Sequence, residues 1–103
     1  MRLLLVEDKD SFRRLLVQSL AGTDWDPCAC ATPEEALRAL GTESFEAMKA
    51  DPRLPGLSGL ELLQRAKRLH PCLRVVLMSA YGEPKDIVQA IHAGADDFLP
   101  KPF

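Results

Sequence analysis

Two short runs of consecutive apolar residues, Leu3-Leu4-Leu5-Val6 and Val75-Val76-Leu77-Met78, stand out in a chain whose other apolar positions mostly recur every three or four residues. Continuous runs of this length predict strands covered on both faces, as in a parallel sheet. After Val6 comes the acidic turn Glu7-Asp8-Lys9-Asp10. Phe12, Leu15, Leu16 and Leu20 then recur at helical spacing, with Arg13, Arg14 and Gln18 on the opposite side and Gly22 as the stop. Trp25 to Ala31 reads as a poorer strand, and Pro27, which has no amide proton to give a ladder, points to a sheet edge. Thr32-Pro33-Glu34-Glu35 predicts a helix start with a Thr cap, Pro in the first turn and a Glu to complete a capping box. Its buried stripe is Ala36, Leu37 and Leu40, and Gly41 is expected to end it.

The third strand is expected over Phe45 to Ala50, followed by a Pro/Gly-punctuated loop through Leu57. Ser58-Gly59-Leu60-Glu61 repeats the capping pattern and opens a helix with Leu62, Leu63, Ala66 and Leu69 facing inward, broken by His70-Pro71. Leu73 to Met78 forms the fourth strand and runs into Ser79-Ala80-Tyr81-Gly82. Pro84 suits the first turn of a helix that buries Ile87, Ala90 and Ile91 and stops at Gly94. Asp96 to Leu99 makes a last short strand before Pro100-Lys101-Pro102-Phe103.

Five strands alternating with four helices predict βαβ units, hence one parallel sheet with helices on both faces. At 103 residues this is a single α/β unit with room for one core. The net charge of −2 gives no electrostatic basis for this segment to bind nucleic acid directly. No apolar run approaches the length of a membrane span, and Met1-Arg2-Leu3 leads straight into a strand instead of a signal peptide. Cys28, Cys30 and Cys72 are odd in number and lack metal-knuckle spacing, which suits buried reduced thiols in a cytoplasmic protein.

In such a sheet the residues that end the strands gather on one edge, where ligand chemistry collects. Here they are Glu7 and Asp8, Asp51, Ser79 and Lys101. Three adjacent carboxylates repel one another, and a hard divalent cation removes that repulsion while leaving room for phosphate oxygens. A lysine and a hydroxyl add a charge partner and a donor for an anion, so the set describes a phosphoryl site with Asp51 as candidate nucleophile. Each residue alone has a plainer reading. Glu7 and Asp8 suit a helix N-terminus, Asp51 could open an Asx-turn before Pro52, and Ser79 and Lys101 could be solvated loop and tail groups. Their joint placement at successive strand ends favours the functional reading.

The segments Leu3 to Asp8, Asp51 with Arg53 to Leu63, Val76 to Gly82, and Ala93 to Phe103 resemble the receiver domain of bacterial two-component response regulators across the whole chain. The resemblance implies a CheY-like, flavodoxin-like, doubly wound parallel sheet of five strands in the order 2-1-3-4-5. It implies that Asp51 accepts a phosphoryl group from a sensor histidine kinase. Asp8 and Asp51 would bind Mg²⁺ (or Mn²⁺) directly, with the backbone carbonyl of Arg53 as a third ligand and Glu7 acting through water. Lys101 and Ser79 would meet the phosphoryl oxygens, Phe98 and Ser79 would form the switch, and Arg53 and Tyr81 would tune dephosphorylation. The domain would be regulatory, not an enzyme, with Mg²⁺-dependent self-phosphorylation and self-dephosphorylation as its only chemistry. Its readout face, the fourth helix (Lys85 to Ala93) with the fifth strand, would act on an output module, most resembling transcription-activating ones.

Three features depart from the family pattern. Lys49 occupies a central-strand position that is usually aliphatic, so it must reach an end or find a carboxylate. Pro52 follows Asp51 directly and fixes the loop torsion. The chain also stops at Phe103, before the fifth helix of the family. It is therefore expected to be a receiver truncated before that helix, dimerising through the uncovered face or less stable than a longer version. Two competing functions follow. One is a degenerate receiver-like interaction module that no longer uses phosphate, its site spoiled by Lys49 and Pro52. The other is an aspartyl phosphatase suggested by Asp8-Lys9-Asp10, which the missing cap domain argues against.

Overall fold

The computed structural model describes residues 1–51, 56–79, 88–89, 91–92 and 94–100, with 79 and 98–100 described by their backbone. The elements are β1 (Arg2–Val6), α1 (Asp10–Ser19), β2 (Asp26–Cys30), α2 (Pro33–Thr42), β3 (Ala47–Ala50), α3 (Gly59–Leu69), β4 (Arg74–Ser79) and β5 (Asp97–Pro100). All strand pairs are parallel and the sheet order is β2-β1-β3-β4-β5, the order the resemblance implied. The strand containing Pro27 lies at the edge, where its missing amide proton interrupts no central ladder. Of the fourth helix expected over 85–93, residues 88–89 and 91–92 are helical, and the others lie outside the described residues.

Alternation along the strands sends the core to both faces of the sheet. Leu4, Val6, Met48, Ala50, Val75 and Leu77 pack with Ala36 and Leu40 of α2 and Leu62, Leu63 and Ala66 of α3. Leu3, Leu5, Ala47 and Met78 point to the other face, against Leu16 of α1. Both helices begin at their expected caps, each held by the hydroxyl half of the box. Thr32 Oγ1 accepts from the Glu35 amide at 3.2 Å, and Ser58 Oγ accepts from the Glu61 amide at 3.2 Å, each satisfying an orphan donor of a first turn.

Several expectations about packing need correction. Leu15, Leu69 and Ile91, expected inside, are 58%, 52% and 49% exposed. Leu15 and Leu69 sit at the margins of stripes whose centres, Leu16, Leu62, Leu63 and Ala66, make the burial. Gly41 does not end α2. The helix runs one residue further, where Thr42 Oγ1 bonds the Arg38 and Ala39 carbonyls and the Glu43 amide closes on Ala39 at 2.9 Å. Of the three free thiols only Cys30 is buried, whereas Cys28 is half-buried and Cys72 exposed. Burial, with Cys28 alongside, pushes the Cys30 thiol up to about 12, so it stays protonated and inert.

Lys49 occupies the central strand on the α1 side of the sheet, paired in register with Leu5 of β1 and Val76 of β4. It is half-buried, and among the described residues no ion pair forms to it.

Candidate functional site

The acidic edge is built by the ends of two adjacent strands. β1 and β3 run side by side with Val6 opposite Ala50, so the next residues, Glu7 and Asp51, emerge together. One carboxylate oxygen from each of Glu7, Asp8 and Asp51 lies within 4.8 Å of the others. Their environments are graded: Glu7 is fully buried, Asp51 half-buried and Asp8 exposed. An exposed acid, a shielded one and an intermediate one, all oxygen donors, suit a hard cation that keeps part of its water shell.

The backbone around Glu7 is held from several directions. Its amide donates to the Cys30 carbonyl of β2 at 3.0 Å, continuing the β1–β2 ladder past the last strand residue. Its Oε1 accepts the Lys9 amide at 3.2 Å, supplying an acceptor at the N-terminus of α1, where the capping residue Lys9 has none. Its carbonyl accepts from Arg13 Nη1 at 2.8 Å. Arg13 Nη2 pairs with the Asp10 carboxylate. Periodicity puts Arg13 on the solvent side of α1, yet its side chain is only 20% exposed. Sequence reasoning missed this contact. The available signal was an arginine one helical turn after an uncapped helix start.

Of the other sequence-derived site residues, Ser79 closes β4 and Phe98 lies in β5, opposite Leu77, on the described backbone. Arg53, Pro52, Tyr81 and Lys101 lie outside the described residues. The structure thus brings together Glu7, Asp8 and Asp51. Gly56 has a φ of +85°, a torsion open to glycine, and an added Cβ there would meet Glu34 Oε1 of α2 at 3.2 Å. A cleft of about 670 Å³ lined by Met1, Trp25, Phe45, Leu69 and Leu73 opens at the amino-terminal ends of the strands, the opposite edge from the acids. No helix among the described residues is long and apolar enough to cross a membrane.

The profile of the response regulator receiver domain matches residues 3–103. The DNA-binding transcriptional regulator NtrC of Klebsiella pneumoniae is 37% identical over 99 residues, covering 96% of this chain and 21% of its own length. The transcriptional activator protein PfeR of Pseudomonas aeruginosa is 40% identical over 102 residues, covering 99% of this chain and 33% of its own. The chain therefore spans between a fifth and a third of these relatives. Among solved structures, a response regulator protein from Burkholderia pseudomallei with a phosphorylated aspartic acid, calcium ion and citrate superposes with a TM-score of 0.93 at 30% identity, over 99% of this chain and 60% of that one.

Proposed function

Because this chain belongs to the response regulator receiver domain family, we propose that it is a phosphorylation-dependent switch in which Asp51 accepts a phosphoryl group from a sensor histidine kinase. The observation that carries the reading is the convergence of Glu7, Asp8 and Asp51 within 4.8 Å. A carboxylate oxygen of Asp51 attacks the phosphorus of a phosphohistidine. The O–P bond forms as the P–N bond breaks, and the electron pair leaves on the imidazole nitrogen, which takes up a proton. Hydrolysis of the resulting acyl phosphate by water resets the domain.

The oxygen donors of Glu7, Asp8 and Asp51 fit Mg²⁺ or Mn²⁺; Asp8, Asp51 and the Arg53 carbonyl would be the direct ligands, with Glu7 acting through water. When bound, the cation would offset the carboxylate charge and orient the incoming phosphoryl oxygens. A phosphoryl group on Asp51 would add charge and acceptor oxygens that Lys101 and the Ser79 hydroxyl then meet. The Ser79 and Phe98 segments form the biased two-state element, and Arg53 and Tyr81 set the hydrolysis rate. The signal passes from a cytoplasmic receiver, residues 1–103, to an output module. A transcriptional output, with homodimerisation as one route to it, is supported by the relatives named as transcriptional regulators.

A receiver-like module that ignores phosphate is the alternative, with Lys49 and Pro52 as the disturbing residues. Lys49 points to the α1 side of the sheet two residues before Asp51, and the acid cluster keeps its close geometry beside it. Beryllofluoride with Mg²⁺, followed through amide NMR shifts, separates the two. The switch reading expects shifts at residues 7–9, 51 and 79 that Asp51→Asn abolishes, whereas an unchanged spectrum supports the degenerate module.

A further inference from the structure

The start of α1 carries an arginine that neither the phosphoryl chemistry nor the cation ligation uses. Arg13 reaches back from the first turns of α1 and donates through Nη1 to the carbonyl of Glu7 at 2.8 Å, while Nη2 holds the Asp10 carboxylate. The two arms are unequal. Asp10 is 72% exposed, and a solvated pair of this i,i+3 kind contributes little. The Glu7 arm is a charge-assisted bond to a main-chain carbonyl beside a wholly buried side chain, made by a guanidinium that is itself mostly withdrawn from water.

That carbonyl belongs to the peptide linking Glu7 to Asp8. With the Glu7 amide on Cys30 and the Lys9 amide on Glu7 Oε1, the peptide units on both sides of Asp8 are fixed. The Asp8 carboxylate is the exposed member of the cluster, and among the described residues no side chain is bonded to it. Its place within 4.8 Å of Asp51 and Glu7 is therefore set by the turn, which Arg13 braces from α1 and the Glu7 carboxylate from within. Arg13 also engages Asp10, the fourth nearby acid, and keeps that carboxylate on the helix surface.

We infer that Arg13 is a positioning residue for the acid cluster, pre-setting Asp8 for a divalent cation through the Glu7 carbonyl. This rests on the cluster being the cation site of a receiver. Side chains that orient metal ligands from behind typically contribute a factor of about 10–100 in metal affinity. The bond here is partly solvated, so the lower end applies: Arg13→Gln weakens cation binding about tenfold. Arg13→Lys, with one donor point instead of a planar fork, falls between the two. Asp10→Asn removes the solvated arm and leaves binding within about twofold of wild type.

The test is Mn²⁺ binding to the whole chain, read as loss of the free-ion electron paramagnetic resonance signal, alongside the Mg²⁺ dependence of acetyl phosphate labelling. Arg14→Gln, an exposed neighbour on α1, serves as the control. The inference expects a raised dissociation constant in R13Q, an intermediate one in R13K, a matching rise in half-saturating Mg²⁺, and an unchanged labelling level at saturating Mg²⁺. A purely structural role would instead lower stability and maximal labelling together with the Mg²⁺ requirement unmoved, and that outcome overturns it. Should R13Q fail to fold, R13K at wild-type affinity overturns it equally. Wild-type binding that Asp51→Asn weakens but R13Q and R13K leave intact removes Arg13 alone. Wild type that binds no Mn²⁺ removes the cation site and this inference with it.

Discussion

Lys67 of α3 and Asp96, just before β5, meet through Nζ and Oδ2 at 3.0 Å. The same oxygen accepts the Val75 amide of β4 at 2.8 Å, and Nζ also donates to the Leu73 carbonyl. One pair thus fastens a helix to the entry points of two neighbouring strands, far along the chain from the acid cluster.

Burial of Asp96 acts to raise its carboxyl, but the Val75 amide, the Lys67 ammonium and Arg74 outweigh it and hold the group below its ordinary range. A carboxyl depressed in the folded state contributes stability above its unfolded value and loses that contribution as pH falls through the folded value. Wild-type stability should therefore decline below about pH 4, and Asp96→Asn should flatten the decline. Because both side chains retain some exposure, the substitution should cost about 1 kcal/mol at neutral pH. Thermal melts between acidic and neutral pH check both statements, and parallel profiles for the two proteins contradict them.

The caps and the core should separate cleanly in denaturant titrations. Thr32→Ala and Ser58→Ala each remove an acceptor from a first-turn amide and should cost about 1 kcal/mol. Leu63→Ala, in the fully buried layer between α3 and the sheet, should cost about 2–5 kcal/mol. Leu15→Ala, by contrast, should change stability by less than about 0.5 kcal/mol, since Leu15 is 58% exposed.

Gly22 and Gly56 have nearly the same backbone torsion, φ +80° and +85°, but different neighbours. Alanine is strained by about 1–2 kcal/mol at either. At Gly56 the new Cβ also crowds Glu34 Oε1 at 3.2 Å, whereas Gly22 faces open space within 4 Å. Gly56→Ala should therefore be the more destabilising, and Glu34→Ala in the same chain should recover the difference. An equal cost at both positions would show that Glu34 yields freely.

Lys49→Met tests the half-buried ammonium of β3. Replacing a charge that has no ion-pair partner among the described residues with an apolar side chain of similar length should raise stability by about 0.5–1 kcal/mol. A loss of stability in urea titration would mean that the ammonium is satisfied where it stands.

Much of this architecture is legible in the order of the residues, for local reasons. The unbroken runs around Leu4 and Val76 can be satisfied only between two layers, and Thr32 and Ser58 announce their helices because a cap needs only nearby atoms. Alternation then forces Glu7, Asp8 and Asp51 to one sheet edge, which is where they are. Periodicity marks the direction of a helix face but not its width, so Leu15 and Leu69 read as buried and are not. Gly41 is passed over because Thr42 satisfies the helix end. Arg13 is the instructive case. A long charged side chain on the outer half of a helix turn can fold back over the turn before it, and its target is a carbonyl, which has no sequence signature.

The central claim is that Asp51 is the residue that becomes phosphorylated. The direct measurement is incubation with acetyl phosphate and Mg²⁺, followed by borohydride reduction of the acyl phosphate and peptide mass spectrometry. The account predicts a Mg²⁺-dependent gain of one phosphoryl group in wild type, reduction to homoserine at position 51, and neither in Asp51→Asn. Labelling at Asp8 or Asp10, or no labelling with the fold intact, would contradict it.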